Sequence, residues 1–447
     1  MEKKYFGTDG IRGKVGQSPI TPDGCVRLGW AIGRYFLDNR DEAKILIGKD
    51  TRISGYMLES ALQSGIISAG ATVGLLGPMP TPGIAYLTQK LEADGAIVIS
   101  ASHNPYEDNG IKIFNGKGEK LQDSAELMIE SLLAQPMKTV PAAELGKANR
   151  VMAAQEQYSG FCAGHYSPPL ELNDLKIVVD CANGATYQVA PLVFSKIGLN
   201  PLFIASSPDG LNINKDCGST NPGFLRETIA QKKADIGIAF DGDGDRICLV
   251  DHQGGLIDGD DILYLLAIDF LDRGEEFGGV VGTHMTNMAI ELAFKEKGIP
   301  FFRADVGDRN VIRAMRERGW LLGGEGSGHI LNLKKTNTGD GLITALQILE
   351  IINREKKSLA EIRNAVPKYP QILRNVRREE PQSLLTNPIF CSEISSCKGR
   401  LGNKGRILVR KSGTESLVRI MVEGKNRQEI ENIGDHLESV AVSIRQD

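Results

Sequence analysis

The sequence predicts an α/β protein, with three similar βαβ-type domains on mixed sheets followed by a smaller C-terminal α+β domain. Three observations carry that expectation. The chain has 447 residues, beyond the length at which one hydrophobic core keeps growing, so two to four packed domains are expected. Over residues 1–300, short β-branched runs alternate with amphipathic helical stretches, the pattern of βαβ units on a parallel or mixed sheet. After Pro370 the order changes to strand, turn, strand, helix.

In the first block Lys44-Ile-Leu-Ile-Gly-Lys-Asp50 reads as a strand and Tyr56 to Ala69 as a helix; Thr72-Val-Gly-Leu-Leu76 and Ala96-Ile-Val-Ile-Ser100 read as two more strands. The second block repeats this with Lys176-Ile-Val-Val-Asp180, a helix over Tyr187 to Ile197, Pro201-Leu-Phe-Ile204 and Ile236-Gly-Ile-Ala-Phe240. The third runs through Gly279-Val-Val-Gly-Thr283, a helix over Asn287 to Lys297, Phe301-Phe-Arg303 and Trp320-Leu-Leu322. The likeness is of pattern, not of letters, and suggests an internal triplication. Pro168-Pro169, and Pro367 with Pro370, fall between blocks as boundaries. Beyond them come strands over Arg406–Arg410 and Leu417–Met421 and a helix from Arg427 to Ile444.

Composition narrows the function classes. Hydrophobic residues at 41%, charged residues at 24% and a net charge of −4 match an ordinary folded protein and give no field that would draw nucleic acid or anionic membrane. The N-terminus lacks the apolar core of a signal peptide and no apolar run reaches spanning length, so a cytosolic location is expected. Cys25, Cys162, Cys181, Cys217, Cys248, Cys391 and Cys397 are scattered without a C-x-x-C pair and read as reduced, mostly buried thiols.

Chemistry concentrates in four segments. In Phe240-Asp-Gly-Asp-Gly-Asp-Arg246 three carboxylates alternate with glycines directly after an apolar strand, a crowding that is unfavourable unless a cation neutralises it. Oxygen-only ligands suit a hard ion such as Mg²⁺. An EF-hand is excluded, because its sixth position is Arg246 and its twelfth His252. The second segment, Ile99-Ser-Ala-Ser-His-Asn-Pro-Tyr-Glu-Asp-Asn-Gly-Ile-Lys112, also follows a strand, where open α/β folds bind ligands. It offers Ser102 as nucleophile or phosphate carrier, with Asn104 and Lys112 for hydrogen bonding and proton handling. Alone, Ser-His-Asn-Pro is more often a turn with a capping serine; the acidic loop is what lends it weight.

The third segment, Leu322-Gly-Gly-Glu-Gly-Ser-Gly-His329, allows close backbone approach and presents Glu325 and Ser327 as oxygens suited to sugar hydroxyls. It opens no helix, so it is no dinucleotide fingerprint. The fourth, Arg410-Lys-Ser-Gly-Thr-Glu415 with Arg419, is a turn loaded with donors that would cradle a phosphate dianion; its bland reading is a charged surface hairpin. Gly7-Thr-Asp-Gly-Ile-Arg-Gly13 adds an arginine in a flexible turn, and Gly48-Lys-Asp-Thr-Arg52 a basic loop.

In this order the segments resemble the α-D-phosphohexomutase superfamily over essentially the whole chain. Within it the likeness is to the bacterial branch acting on glucosamine phosphates, through Tyr5-Phe-Gly-Thr-Asp-Gly-Ile-Arg-Gly13, Pro78-Met-Pro-Thr-Pro-Gly83, Asp180-Cys-Ala-Asn-Gly-Ala-Thr-Tyr187 and Leu211-Asn-Ile-Asn214. Gly326, Ser416 and Asn310 depart from the family pattern and bear on substrate contacts more than on the reaction class. The resemblance implies a four-domain, heart-shaped molecule: residues 1–150 with the phosphoserine, 151–252 with the metal, 253–367 with the sugar loop and 368–447 with the phosphate loop.

The resemblance further implies an isomerase that interconverts glucosamine 6-phosphate and glucosamine 1-phosphate, feeding UDP-N-acetylglucosamine and cell-wall precursors. Phospho-Ser102 would donate its phosphoryl group to form a glucosamine 1,6-bisphosphate, which turns end over end and returns the other phosphate. Ser102, Asp241, Asp243 and Asp245 would hold one Mg²⁺ per subunit, and glucosamine or glucose 1,6-bisphosphate would act as activator. Ser102, Arg12, His103, Lys112 and His329 are the catalytic candidates, with the general base left open. Asn104, Arg246, Glu325, Ser327, Arg410, Ser412, Gly413, Thr414 and Arg419 are the substrate-binding candidates. The partner is a phosphosugar, not nucleic acid or membrane, and a homodimer is left open. A phosphomannomutase/phosphoglucomutase is the alternative. A metal-dependent sugar phosphatase would have no use for a separate phosphate cradle, and a non-catalytic sugar-phosphate binder would be expected to lack some of Ser102, the aspartates or Arg410.

Overall fold

The computed structural model describes residues 3–7, 9–38, 40–166, 172, 175–412 and 416–444. Four sheets succeed one another along the chain. The first holds β1 (Ile11–Lys14), β2 (Lys44–Lys49), β3 (Thr72–Pro78), β4 (Gly95–Ile99), β5 (Asp108–Asn115) and β6 (Ala148–Arg150), in the order β1-β5-β4-β2-β3-β6. The second holds β7 (Ile177–Asp180), β8 (Leu202–Ile204), β9 (Ile236–Phe240), β10 (Ile247–Asp251) and β11 (Leu256–Ile257), ordered β11-β10-β9-β7-β8. It therefore runs past residue 252, where the sequence reading placed a domain boundary. The third holds β12 (Val280–Thr283), β13 (Phe301–Ala304), β14 (Leu322–Gly324) and β15 (Ile330–Asn332), ordered β13-β12-β14-β15. The fourth is an antiparallel sheet of β16 (Gln371–Arg377), β17 (Gly405–Lys411) and β18 (Leu417–Gly424), ordered β16-β18-β17.

The first three sheets share one topology. In each, three parallel strands are ordered second, first, third, and a fourth pairs antiparallel with the third: β3-β2-β4-β5, β8-β7-β9-β10 and β13-β12-β14-β15. This common order supports the triplication read from pattern. It also sets the site, because the turn from third to fourth strand carries Ser102 in the first sheet, Asp241 to Arg246 in the second and Glu325 to His329 in the third. Strands β4 and β9 are buried at every position, as their unbroken apolar runs require of strands covered on both faces. Burying each such Ile or Val contributes roughly 1.5–3 kcal/mol.

Helices begin where side chains satisfy the free N–H groups. Thr21 caps the helix Pro22–Phe36, which has proline in its first turn, and Asp258 with Asp261 forms a capping box at Gly259–Asp272. The fourth domain has its own core of Val376, Phe390, Ile407, Val418, Ile420, Val422, Ile433 and Leu437. Arg406 and Glu423 tie it to the third: Arg406 donates to His284 O at 2.7 Å and Thr286 O at 2.6 Å, and buried Glu423 accepts from Met288 N at 2.8 Å.

Several expectations shift. The strand expected at Trp320–Leu322 lies at Leu322–Gly324. Strand β16 and the helix Pro388–Leu401 were not anticipated. Only Val376 of β16 is buried, so this edge strand shows almost no apolar alternation; Asn387-Pro388, a cap followed by proline, was the available signal for the helix. Gly7–Gly13 is not simply a flexible turn: Arg12 lies in β1, paired with Gly110 of β5. The boundary at Pro168-Pro169 lies outside the described residues. All seven cysteines are free and only Cys391 is exposed; burial pushes Cys25, Cys181, Cys217 and Cys248 up to about 12, which leaves them unreactive. No helix among the described residues is long and apolar enough to cross a membrane.

Candidate active site

Ser102 sits at the start of the β4–β5 turn with φ of 52°, in the left-handed region, which costs a non-glycine residue about 1–2 kcal/mol. It is 1% exposed. Its N–H donates to Ser100 Oγ at 2.9 Å, and its hydroxyl donates to Asp241 Oδ2 at 2.6 Å across from the second domain. His103 Nδ1 lies 3.3 Å from the same Oγ. Burial, helped by Arg246 and Arg12, pushes the His103 imidazole down to about 4, so it is neutral at pH 7. Asn104 turns away, donating to Asp108 Oδ2 at 3.0 Å.

Asp241, Asp243 and Asp245 are all buried, and one oxygen from each lies within 4.8 Å of the others. Burial and then the neighbouring Asp245 and Asp243 hold Asp241 well above the usual carboxylate range. Burial would raise Asp243 too, but Lys112 and Thr81 bring it down. Thr81 Oγ1 donates to Asp243 Oδ2 at 2.7 Å, and Lys112 Nζ does so at 2.9 Å. Asp243 Oδ1 and Asp245 Oδ1 are buried without any hydrogen-bond partner. Orphaned carboxylate oxygens converging from one loop are what a hard divalent cation needs, so the residues present fit a metal ion.

Lys112 also lies 3.4 Å from Asp9 and 3.8 Å from Asp245. Burial works against its charge, but Asp243 and Asp9 outweigh it and keep the ammonium protonated. Asp9 pairs in turn with Arg12 and Lys120, and Lys120 with Asp308 of the third domain. His329 closes the ring: Nδ1 is 3.6 Å from Asp245 Oδ2 and Nε2 is 3.8 Å from Asp308 Oδ2. The backbone N–H of Arg246 donates to Asp241 Oδ1 at 3.2 Å, and its side-chain Nε lies 3.9 Å from Asp245 Oδ1.

The third turn packs directly on the second. Ile247 N donates to Gly328 O at 3.1 Å, and a Cβ on Gly328, at φ 91°, would stand 2.0 Å from Ile247 O, so only glycine fits there. Glu325 accepts from Gly307 N at 3.0 Å, and Ser327 is exposed. In the fourth domain Arg410 and Arg419 are directly opposed across β17 and β18, projecting from one face. Burial, with Arg419 beside it, pushes Arg410 down. Like charges so placed repel unless an anion bridges them. Ser412 is buried next to them, its N–H bonded to Leu417 O at 2.9 Å. Gly413 and Thr414 lie outside the described residues.

Ser102, Lys112, His329 and the three aspartates thus form one buried cluster with half-buried His103, Arg12 and Arg246 at its edge, while Arg410, Ser412 and Arg419 belong to a separate face. Sequence reasoning missed Asp9, Thr81, Lys120 and Asp308. Asp9 and Thr81 lay inside motifs quoted for likeness, which was the only available signal. A cleft of about 1000 Å³ opens beside Lys120, between Gly118–Ser124 and Val306–Arg313, and does not include Ser102.

Comparison with known proteins shows the same four-domain order. The four phosphoglucomutase/phosphomannomutase family models match in order: α/β/α domain I at residues 3–139, domain II at 163–255, domain III at 258–369 and the C-terminal domain at 373–439. The chain is 50% identical to phosphoglucosamine mutase of Pseudomonas fluorescens (strain Pf0-1), over 99% of this chain and 100% of that one. It is 53% identical to the protein of that name from Pseudomonas entomophila (strain L48), over 99% and 100%. A phosphoglucomutase/phosphomannomutase family protein from Burkholderia thailandensis has the same fold, with a TM-score of 0.82 at 24% identity, covering 99% of this chain and 98% of that chain.

Proposed function

Since the chain belongs to the phosphoglucomutase/phosphomannomutase family and, within it, to the phosphoglucosamine mutases, we propose that Ser102 carries the phosphoryl group that interconverts glucosamine 6-phosphate and glucosamine 1-phosphate. The observation that carries this reading is the 2.6 Å bond from Ser102 Oγ to Asp241, which places one reactive hydroxyl against a three-carboxylate site from another domain.

The phosphoryl on Ser102 passes to the free sugar oxygen: the bond from phosphorus to Oγ breaks, a bond from phosphorus to the sugar oxygen forms, the sugar hydroxyl gives its proton to a protein group, and the departing Oγ takes up a proton to become the free serine hydroxyl. The bisphosphate then reverses and its other phosphate returns to Ser102. Asp241, Asp243, Asp245 and Ser102 would hold the Mg²⁺, one ion per subunit, which would supply positive charge to offset the transferring phosphoryl. Lys112, kept protonated by Asp243 and Asp9, puts a second positive charge beside the reacting oxygens. Arg12 and His329 are the other groups for charge or proton handling, and neutral His103 lies against Oγ. Asn104 and Arg246 border the reacting end, while Glu325 and Ser327 receive sugar hydroxyls.

Arg410, Ser412, Gly413, Thr414 and Arg419 hold the phosphate that is not reacting, and reversal of the bisphosphate lets one cradle serve both ends. Replacing either arginine by alanine is expected to raise KM for the phosphosugar about tenfold or more, with the thermal midpoint little changed, because a charge-assisted bond worth about 1.5–3 kcal/mol is lost. Steady-state kinetics checks it. Unchanged KM and kcat/KM in both variants would remove the cradle from this face.

The proposal includes a cytosolic location and activation by glucosamine or glucose 1,6-bisphosphate, and leaves a homodimer open. Glucosamine phosphate is expected to be preferred over glucose and mannose phosphates, with Glu325 positioned to accept from hydroxyls and to favour a 2-ammonium group. Gly326 lacks a side chain beside the sugar, so leakage to glucose phosphate is expected, one lost hydrogen bond changing discrimination by only about 0.5–1.5 kcal/mol. The test is kcat/KM for the three sugars with the matching 1,6-bisphosphate; mannose or glucose phosphate winning would move the chain to the hexose branch.

A further inference from the structure

The Gly48–Arg52 loop and Asn214 have no part in the chemistry described so far, yet side chains from both end on the main chain of the serine turn. Arg52 is fully buried and Asp50 is 1% exposed. Asp50 fixes the arginine, accepting from its Nε at 2.9 Å and its backbone N–H at 3.0 Å, and takes a third bond from Ser100 Oγ at 2.7 Å. The guanidinium then donates to Ser102 O at 2.9 Å, to Asn104 O at 2.8 Å and to Pro105 O. From the second domain, Asn214 Nδ2 donates to the same two carbonyls, Ser102 O at 2.9 Å and Asn104 O at 3.1 Å.

Asn214 is itself held in place. Its backbone is left-handed at φ 57°, and its N–H is bonded to Ala182 O at 2.9 Å. The acidic loop closes on the same contact, since a Cβ on Gly242 would stand 2.5 Å from Ser102 O and 2.8 Å from Asn214 Nδ2. The carbonyl of Ser102 is thus gripped from two domains while its hydroxyl meets Asp241.

We propose that Asn214 and Arg52 are positioning residues, acting through the main chain of Ser102 to keep the left-handed turn that aims Oγ at Asp241. The inference rests on reading Ser102 as the phosphoryl carrier. A non-glycine residue in the left-handed region persists only where its surroundings over-determine it, and here two donors hold the carbonyls of the turn in place. Ser102 is the one protein atom site that makes and breaks a bond in both halves of the reaction. Misplacing it slows transfer in both directions, and since the donors are spent on the turn, substrate affinity is not their task. A displacement of about 1 Å at a reacting atom costs on the order of 100-fold.

The experiment compares Asn214→Gly and Asn214→Asp with the wild type in the full chain, assayed in both directions with 1,6-bisphosphate present. Glycine keeps the left-handed backbone and removes the donor. Aspartate keeps the shape but turns a carboxylate on two carbonyls. Both are expected to lower kcat about 10- to 100-fold in each direction, with KM within about twofold of wild type and the aspartate variant the more impaired. Arg52→Lys, which keeps the charge beside Asp50 but cannot reach three carbonyls, is expected to show the same split and stands in if the Asn214 variants do not fold. A folded variant with wild-type kcat, or a loss confined to KM, overturns the proposal. Absence of mutase turnover in the wild type would instead overturn the reading of Ser102 on which it depends.

Discussion

Ser102→Ala is expected to lose turnover by on the order of 1000-fold or more, the scale that follows removal of a group on which covalent transfer depends. Protein as purified is expected to carry one phosphoryl group on part of the population, mapped to the peptide containing Ser102; the variant carries none. The loss is chemical and not structural. Alanine removes one hydroxyl whose bond to Asp241 is worth about 0.5–1.5 kcal/mol to the fold, and the turn itself is held through the backbone N–H and carbonyl, which alanine keeps. Intact-mass analysis, peptide mapping and an isomerisation assay decide the matter. Phosphate found only at another residue, or an alanine variant of wild-type activity, would end the mechanism.

Asp243→Asn is expected to lower metal-dependent activity about 100- to 10,000-fold, several kcal/mol of transition-state stabilisation, with the circular dichroism spectrum unchanged. Asp243 has three tasks: Oδ2 receives Thr81 and Lys112, and Oδ1 is one of the orphaned oxygens of the acidic loop. Asparagine is the same size, so the loop keeps its path, but the ammonium of Lys112 is left to Asp9 at 3.4 Å and Asp245 at 3.8 Å. Chelation of the wild type is expected to abolish turnover and added Mg²⁺ to restore it; in the variant the same Mg²⁺ concentration restores little. A variant whose activity and metal dependence match the wild type would make Asp241–Arg246 an ordinary acidic turn.

The candidate loops stood out in the sequence because their composition is costly without a purpose. Three carboxylates at alternate positions after an apolar strand, or two arginines around a short turn, violate local preferences strongly enough to stand out. Strands such as Ile236–Phe240 were legible for the opposite reason: burial on both faces leaves an unbroken apolar run. Strand β16 was not, since only Val376 of it is buried and an edge strand needs no apolar stripe.

By itself, then, the sequence determined the strand–helix alternation, the choice of Ser102 and the acidic loop as candidates, and the change of architecture after Pro370. These are local properties, set by side-chain period, by charge crowding and by turn chemistry. Only the tertiary structure decided that Ser102 meets Asp241 across a domain boundary, that Lys112 on β5 is shared between Asp243 and Asp9, and that His329 lies between Asp245 and Asp308. It alone revealed that Arg52 and Asn214 grip the same carbonyl. Each of these contacts joins residues from different sheets or distant segments, brought together because three sheets of one topology turn the same β-turn toward a common centre. Pairing at such separations leaves no period or spacing in the chain for a reader to find.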